Sequence, residues 1–223
     1  MRVIPKYGSI KNLPGVMYSE NIREMIRDYA SKGELAVQRC VCKAYRNFER
    51  YGQATLPDGK GCVSGIVEHD NSEGHCMWFG QRSKYMHEMF NGKVLNVEEA
   101  EKMMQEAEEA VLVYSTKNMR LPTEICTCCE DCCPIFEFQQ QGYDAYVPSR
   151  FRPKVNEAKC IGCKVCLGRC PFKAISYNAD GKCVINSDKC MGCGNCVVKC
   201  PAKALKMEVV HDTDWIPDVA DYL

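Results

Sequence analysis

The sequence predicts an α+β chain made of two unlike parts. A mainly helical, cysteine-rich N-terminal domain spans 1–149, a small repeated domain spans 150–210, and an acidic, aromatic tail over 211–223 closes the chain. Three observations carry that prediction. Eighteen cysteines occur in 223 residues, nine of them before residue 150. Two amphipathic helical periods lie in the first half. A twelve-residue pattern occurs twice in the second half, as CIGCKVCLGRCP at 160–171 and CMGCGNCVVKCP at 190–201.

The first helical period is 19–32, SENIREMIRDYASK. Ser19 can cap it, Ile22, Met25, Ile26 and Tyr29 fall on one face, and Gly33 ends it. A further helical stretch is expected over 43–51, and the Gly- and polar-rich run 52–75 reads as loop. The second period, 97–110, is capped by Asn96, with Glu99 completing a capping box. Its apolar stripe is Ala100, Met103, Met104, Ala107 and Val111, and its glutamates form a solvated face. Residues 111–114 then read as a short strand. Helix, helix, strand resembles a winged-helix arrangement, although these helices lack a basic recognition surface. Residues 140–156, with Pro148 and Pro153, read as a linker.

The nine N-terminal cysteines are Cys40, Cys42, Cys62, Cys76, Cys126, Cys128, Cys129, Cys132 and Cys133, the last five within CTCCEDCC. Five thiols beside Glu130 and Asp131 make a poor core, so metal ligation is the reading the composition favours. The ligands would converge from separate loops. A further [4Fe–4S] cluster, a structural zinc or a non-cubane cluster built on Cys-Cys pairs all fit a set of soft thiolate donors. Asp131 is an oxygen ligand or simply solvated. His75, beside Cys76, is a weaker candidate ligand, and His69 and His87 flank the region.

The repeated pattern is C-x2-C-x2-C-x3-C-P. Three thiolates at i, i+3 and i+6 on a tight loop can grip three corners of one cubane, and the fourth reaches the other cluster. The spacing therefore predicts two [4Fe–4S] clusters with crossed ligation. Cys160, Cys163, Cys166 and Cys200 hold the first, and Cys190, Cys193, Cys196 and Cys170 hold the second. The likeness extends past the cysteines: Lys159, Gly162 and Lys173-Ala174-Ile175 match Lys189, Gly192 and Lys203-Ala204-Leu205. Glycine between the first two ligands lets backbone amides approach the sulfur atoms. Pro171 and Pro201 suit the first turn of a helix. Cys183, in a strand-like alternation, reads as a small buried residue.

On these motifs, roughly residues 155–209 resemble the bacterial two-cluster ferredoxins. The whole chain resembles the four-iron ferredoxin-like proteins of anaerobes that carry a Cys-rich N-terminal domain. The shared motifs are RCVCK at 39–43, GKGC at 59–62, CMWFG at 76–80, the helix over 96–114 and ICTCCEDCC at 125–133, in the same order. The last motif departs from the family pattern, with Glu130 in place of Gly and Asp131 in place of a Cys. The resemblance implies an iron–sulfur protein. A looser likeness joins the Cys-Cys pairs to the Cys-Cys-Gly domains of heterodisulfide reductases, although neither pair here is followed by Gly.

The charge is unevenly placed. Residues 150–210 carry 12 Lys and Arg against 4 Asp and Glu, whereas the tail carries 4 Asp and no base. A basic shell around anionic clusters either steers an acidic partner or simply screens the clusters with no docking role. No basic-aromatic interleaving points to nucleic acid, and no apolar run of membrane-spanning length is present. Clustered cysteines of metal type belong to reducing interiors, so a cytoplasmic location, in an organism living with little oxygen, is expected. The expected function is electron transfer: low-potential single electrons relayed between a donor and a partner redox enzyme or larger oxidoreductase complex. Two clusters would carry them, with one or two further N-terminal centres. The tail is expected to dock either on the chain itself or on that partner. Two alternatives stay open. One is a catalytic subunit of an anaerobic reductase with a substrate-binding non-cubane cluster. The other is a redox or metal sensor.

Overall fold

The computed structural model of the chain describes residues 14–17, 19–52, 76–117, 122–130 and 132–215. In chain order its N-terminal part runs β1 (Pro14–Val16), α1 (Ser19–Ser31), β2 (Leu35–Gln38), α2 (Val41–Tyr51), β3 (Cys76–Phe79), α3 (Gln81–Phe90), β4 (Lys93–Val94), α4 (Val97–Glu109), β5 (Val113–Lys117), β6 (Glu124–Cys128) and α5 (Pro134–Gln140). The C-terminal part runs β7 (Phe151–Val155), α6 (Val165–Gly168), β8 (Ile175–Tyr177), β9 (Cys183–Ile185), α7 (Asn195–Val198) and β10 (Leu205–Val209), then one 3-10 turn at Thr213–Trp215.

The six N-terminal strands form one antiparallel sheet in the order β1-β5-β6-β3-β2-β4. This corrects the expectation of a mainly helical, winged-helix-like region: the helices are present, but they are laid on a sheet. Apart from β5, which overlaps the strand expected over 111–114, the strands escape a sequence reading because they are only two to five residues long, and β3 and β6 lie inside cysteine-rich segments. Their alternation is nonetheless regular. In β3 Met77 and Phe79 are buried on one face while Cys76 and Trp78 point to the other, and in β6 Ile125 and Cys126 divide in the same way.

The hydrocarbon face packs on α1 and α4. Ile22 and Ile26 from α1 and Ala100, Met104 and Ala107 from α4 meet Leu35, Val37, Met77, Phe79 and Ile125 in one core. Burying each of the larger side chains contributes about 1.5–3 kcal/mol. Both stripes are those read from the sequence, except that Val111 lies past the end of α4 at φ 58° and outside this cluster. The capping box is present as well: Glu99 N–H donates to Asn96 Oδ1 at 2.9 Å, and Asn96 N–H donates to Glu99 Oε2 at 3.0 Å.

The C-terminal part is a pseudo-twofold unit. Two short hairpin-like sheets, β7 with β10 and β8 with β9, enclose the two cysteine loops. The segment 140–156, expected as a linker, is structured. Phe151–Val155 pairs along its length with Leu205–Val209. Upstream, Val16 N–H donates to Val147 O at 3.0 Å and Ser149 N–H to Met191 O at 3.0 Å. One short stretch is thus stitched to the N-terminal sheet and to the second cysteine loop. The start of the tail folds back on it: Trp215 Nε1 donates to Pro148 O at 2.8 Å, under a stack with His211 at 3.7 Å. Among the described residues, no helix is long and apolar enough to cross a membrane.

Candidate metal centres

The two cysteine runs build two cavities. The first is lined by Cys160, Cys163, Cys166 and Cys200. The second is lined by Cys190, Cys193, Cys196 and Cys170. Each cavity therefore collects three thiols from one run and the fourth from the other. The helical turns α6 and α7 make this possible. Each carries the third cysteine of its run, and the chain leaves it at the fourth, which faces the other cavity.

The backbone of each loop is wound for sulfur ligands. Gly162 and Gly192 sit at φ 67° and 71°, and Lys164 and Gly194 enter the turns at φ 63° and 86°. Left-handed backbone of this kind turns successive amides inward. Ala174 N–H donates to Cys170 Sγ at 3.2 Å, Ala204 N–H to Cys200 Sγ at 3.4 Å and Cys183 N–H to Cys160 Sγ at 3.5 Å. Tyr177 Oη lies 3.1 Å from Cys166 Sγ. Amide bonds from Cys183 and Gly162 hold the Cys160 thiol below its usual range, whereas burial raises Cys170 and Cys190. A buried thiol raised in this way gives up its proton to a bound cation. The donor set is soft thiolate in an apolar cage, which fits an iron–sulfur cluster in each cavity. Cys183 is buried, as the alternation predicts. It lines the first cavity 3.7 Å from Cys166, and burial, then the Cys166 charge, push its thiol up to about 12.

The two halves are alike in sequence but not in surroundings. Ile161 is 68% exposed and its repeat partner Met191 6%, while Val165 is 42% exposed and Asn195 2%. The second loop faces the N-terminal part and the first faces solvent. Asn195 Nδ2 donates to both Val111 O and Leu112 O at 3.1 Å, and Arg169 donates to Glu108 O at 2.6 Å and Asn195 O at 2.9 Å. The bonds to Glu108, Val111 and Leu112 satisfy carbonyls at the C-terminal end of α4, where Val111 is held at φ 58°. Asn195→Ala leaves two buried carbonyls without that donor. It is expected to destabilise the protein by about 2–3 kcal/mol, read as a lower urea midpoint in anaerobic unfolding.

Seventeen of the eighteen cysteines are described, none of them in a disulfide. In the N-terminal part six of them converge. Cys40 is electrostatically coupled to Cys42 and Cys76, Cys126 to Cys76 and Cys128, and Cys128 to Cys133. The Cys126 thiol is lowered to about 4 by hydrogen bonds from Cys128 and Cys76. Register explains the meeting: Cys76 is paired directly with Cys126 across β3 and β6, and Cys128 lies two residues along the same strand. Cys40 caps α2 and Cys133 caps α5.

Two residues the sequence reading missed touch this group. Ser115 Oγ lies 3.3 Å from Cys128 Sγ, and Tyr146 Oη lies 3.6 Å from Cys133 Sγ. Both arrive from positions without a motif, so only the fold reveals them. Cys132 is buried, and Cys129 lines a groove with Ala110, Gly168 and Cys170. Cys62, His69, His75 and Asp131 lie outside the described residues. His87 bonds the backbone instead, through Nδ1 to Gly92 O at 2.8 Å. Among the described residues no group of three or more His, Cys, Asp and Glu side chains is drawn together to hold a single ion, and this is as true of the ferredoxin-type cysteines as of these.

Residues 153–207 match a family described as a 4Fe-4S dicluster domain. The match spans β7 to β10 and contains both cysteine runs. No curated protein matches the chain.

Proposed function

We propose that this protein is an iron–sulfur electron carrier that relays low-potential single electrons between a donor and a partner redox enzyme. The observation that carries the reading is the crossed sorting of thiols around the two cavities. When bound there, [4Fe–4S] clusters supply reversible one-electron storage. Cys160, Cys163, Cys166 and Cys200 are the ligands at the first cavity, and Cys190, Cys193, Cys196 and Cys170 those at the second. The amides of Ala174, Cys183 and Ala204 bond to ligand sulfur and stabilise its negative charge, which sets the potential. Buried Ile175, Ala204 and Leu205 pack with Cys160, Cys166 and Cys196 and keep water from those sulfur atoms.

The first cavity is the exchange side. Its rim carries the exposed apolar residues Ile161 and Val165, with exposed Lys159, Lys164 and Leu167 beside them in the chain. An apolar rim with a basic surround suits an acidic partner. The N-terminal thiols extend the route inward from the second cavity. A reducing, cytoplasmic setting goes with so many free thiols.

Anaerobic reductive titration tests the reading. Stepwise, reversible bleaching with one electron per cluster, and no turnover by the protein alone, is the expected result. A spectrum that changes on adding a disulfide substrate, followed by catalytic consumption of it, would favour a reductase subunit instead.

A further inference from the structure

We infer that Cys40, Cys42, Cys76, Cys126, Cys128 and Cys133 hold one further four-iron centre, electronically adjacent to the second ferredoxin-type cavity and remote from the first. The inference deepens the electron-transfer reading and rests on it. Its first support is topological. The six thiols come from four separate places in the chain, namely the β2–α2 corner, the start of β3, the end of β6 and the cap of α5. Antiparallel register puts Cys76 opposite Cys126, and the two-residue period puts Cys128 on the same face. The sheet thus has a hydrocarbon face, packed on α1 and α4, and a thiol face turned toward the C-terminal part.

The second support is chemical. The pairing of Cys76 with Cys126 and the position of Cys128 on the same face anchor the group, with Cys40 and Cys133 at the starts of α2 and α5, and electrostatic coupling links the six thiols in the series Cys42, Cys40, Cys76, Cys126, Cys128, Cys133. Six soft donors side by side, free of disulfides, exceed what one zinc ion takes. They match a polynuclear iron–sulfur site, with two thiols beyond the four a cubane binds.

The third support is position. One apolar cluster contains Val113, Phe136, Tyr146, Met191 and Cys133, with Cys128, Phe172 and Cys193 packed against it. Ligand candidates of both sites therefore share one packed interior. Tyr146 spans it, with its hydroxyl on Cys133 and its ring 6.1 Å from Phe172, a lining residue of the second cavity. Tyr146 is a positioning residue that donates to a ligand sulfur.

Anaerobic iron, sulfide and zinc analysis of the full chain tests this, together with EPR. The expected result is about twelve irons per chain at four per centre, falling to about eight in Cys76→Ala/Cys126→Ala with the remaining signals retained. About eight irons in the parent chain, or one zinc per chain, would overturn the inference and leave the two-cluster reading standing. Fewer than eight irons in the parent would instead remove the two-cluster reading. Tyr146→Phe keeps every thiol and guards against a variant that fails to fold. Its iron content is expected to be unchanged while one midpoint potential of three shifts. Three unshifted potentials would overturn the assignment of Cys133 as a ligand of that centre.

Discussion

In Cys200→Ala, the cluster lost is expected to be the one gripped by Cys160, Cys163 and Cys166, although Cys200 lies in the other run. The reason is the sorting of thiols: Cys200 lines the first cavity and Cys170 the second. Iron content alone would not identify which cluster is missing, so the test is a double-mutant comparison. Cys163→Ala/Cys200→Ala should lose no more iron than either single variant, since both remove ligands from one cluster. Cys193→Ala/Cys200→Ala should lose both, a drop of about eight irons at four per cluster. The opposite pattern of additivity would place each fourth cysteine on its own run's cluster.

Gly192→Ala is expected to be the most destabilising conservative substitution in the second loop. A Cβ there would stand 2.1 Å from Phe151 O and 2.9 Å from Ser149 Cβ, and the residue sits at φ 71°. Phe151 is held in β7 by its pairing with Val209, so its carbonyl has nowhere to retreat. Steric overlap and left-handed backbone together cost about 3–4 kcal/mol. Gly168→Ala supplies the control, because its Cβ would meet nothing within 4 Å and its backbone is not left-handed. That change should stay within about 0.5 kcal/mol. Anaerobic thermal unfolding of both variants checks the contrast, and equal midpoints would refute it.

The cluster-binding unit was legible in the sequence because its information is local. Ligand spacing, the loop glycines and the repeat all lie within 42 consecutive residues, 160–201. Helices α1 and α4 were legible for the same reason, through periodicity and the cap at Asn96. The sheet was not. Its central strands β3 and β6 place cysteines on one face, and a strand whose alternation is Cys-x-Cys reads as a metal loop. Both descriptions hold at once here, since the strand is what aligns Cys126 with Cys128 and with Cys76.

Long-range contacts were beyond a local reading as well. Asn195 reaches carbonyls 83 and 84 residues away, and Arg169 one 61 away. Their signal was present only as a difference between repeats. Where the first run has Ile161 and Val165, the second has Met191 and Asn195, and those are the positions covered by the N-terminal part. Tyr146 carried no signal at all, since a lone tyrosine near prolines resembles ordinary connecting chain.

The most direct test of a continuous electron route is EPR of the fully reduced protein, compared with Cys193→Ala. Cysteines of both ferredoxin cavities share one packed core, and Cys193 shares a second with Cys128 and Cys133. The route therefore predicts a broadened, spin-coupled spectrum in the parent that resolves into sharper, isolated signals when the second cluster is removed. Magnetically isolated signals in the parent, unchanged in line shape by Cys193→Ala, would contradict it.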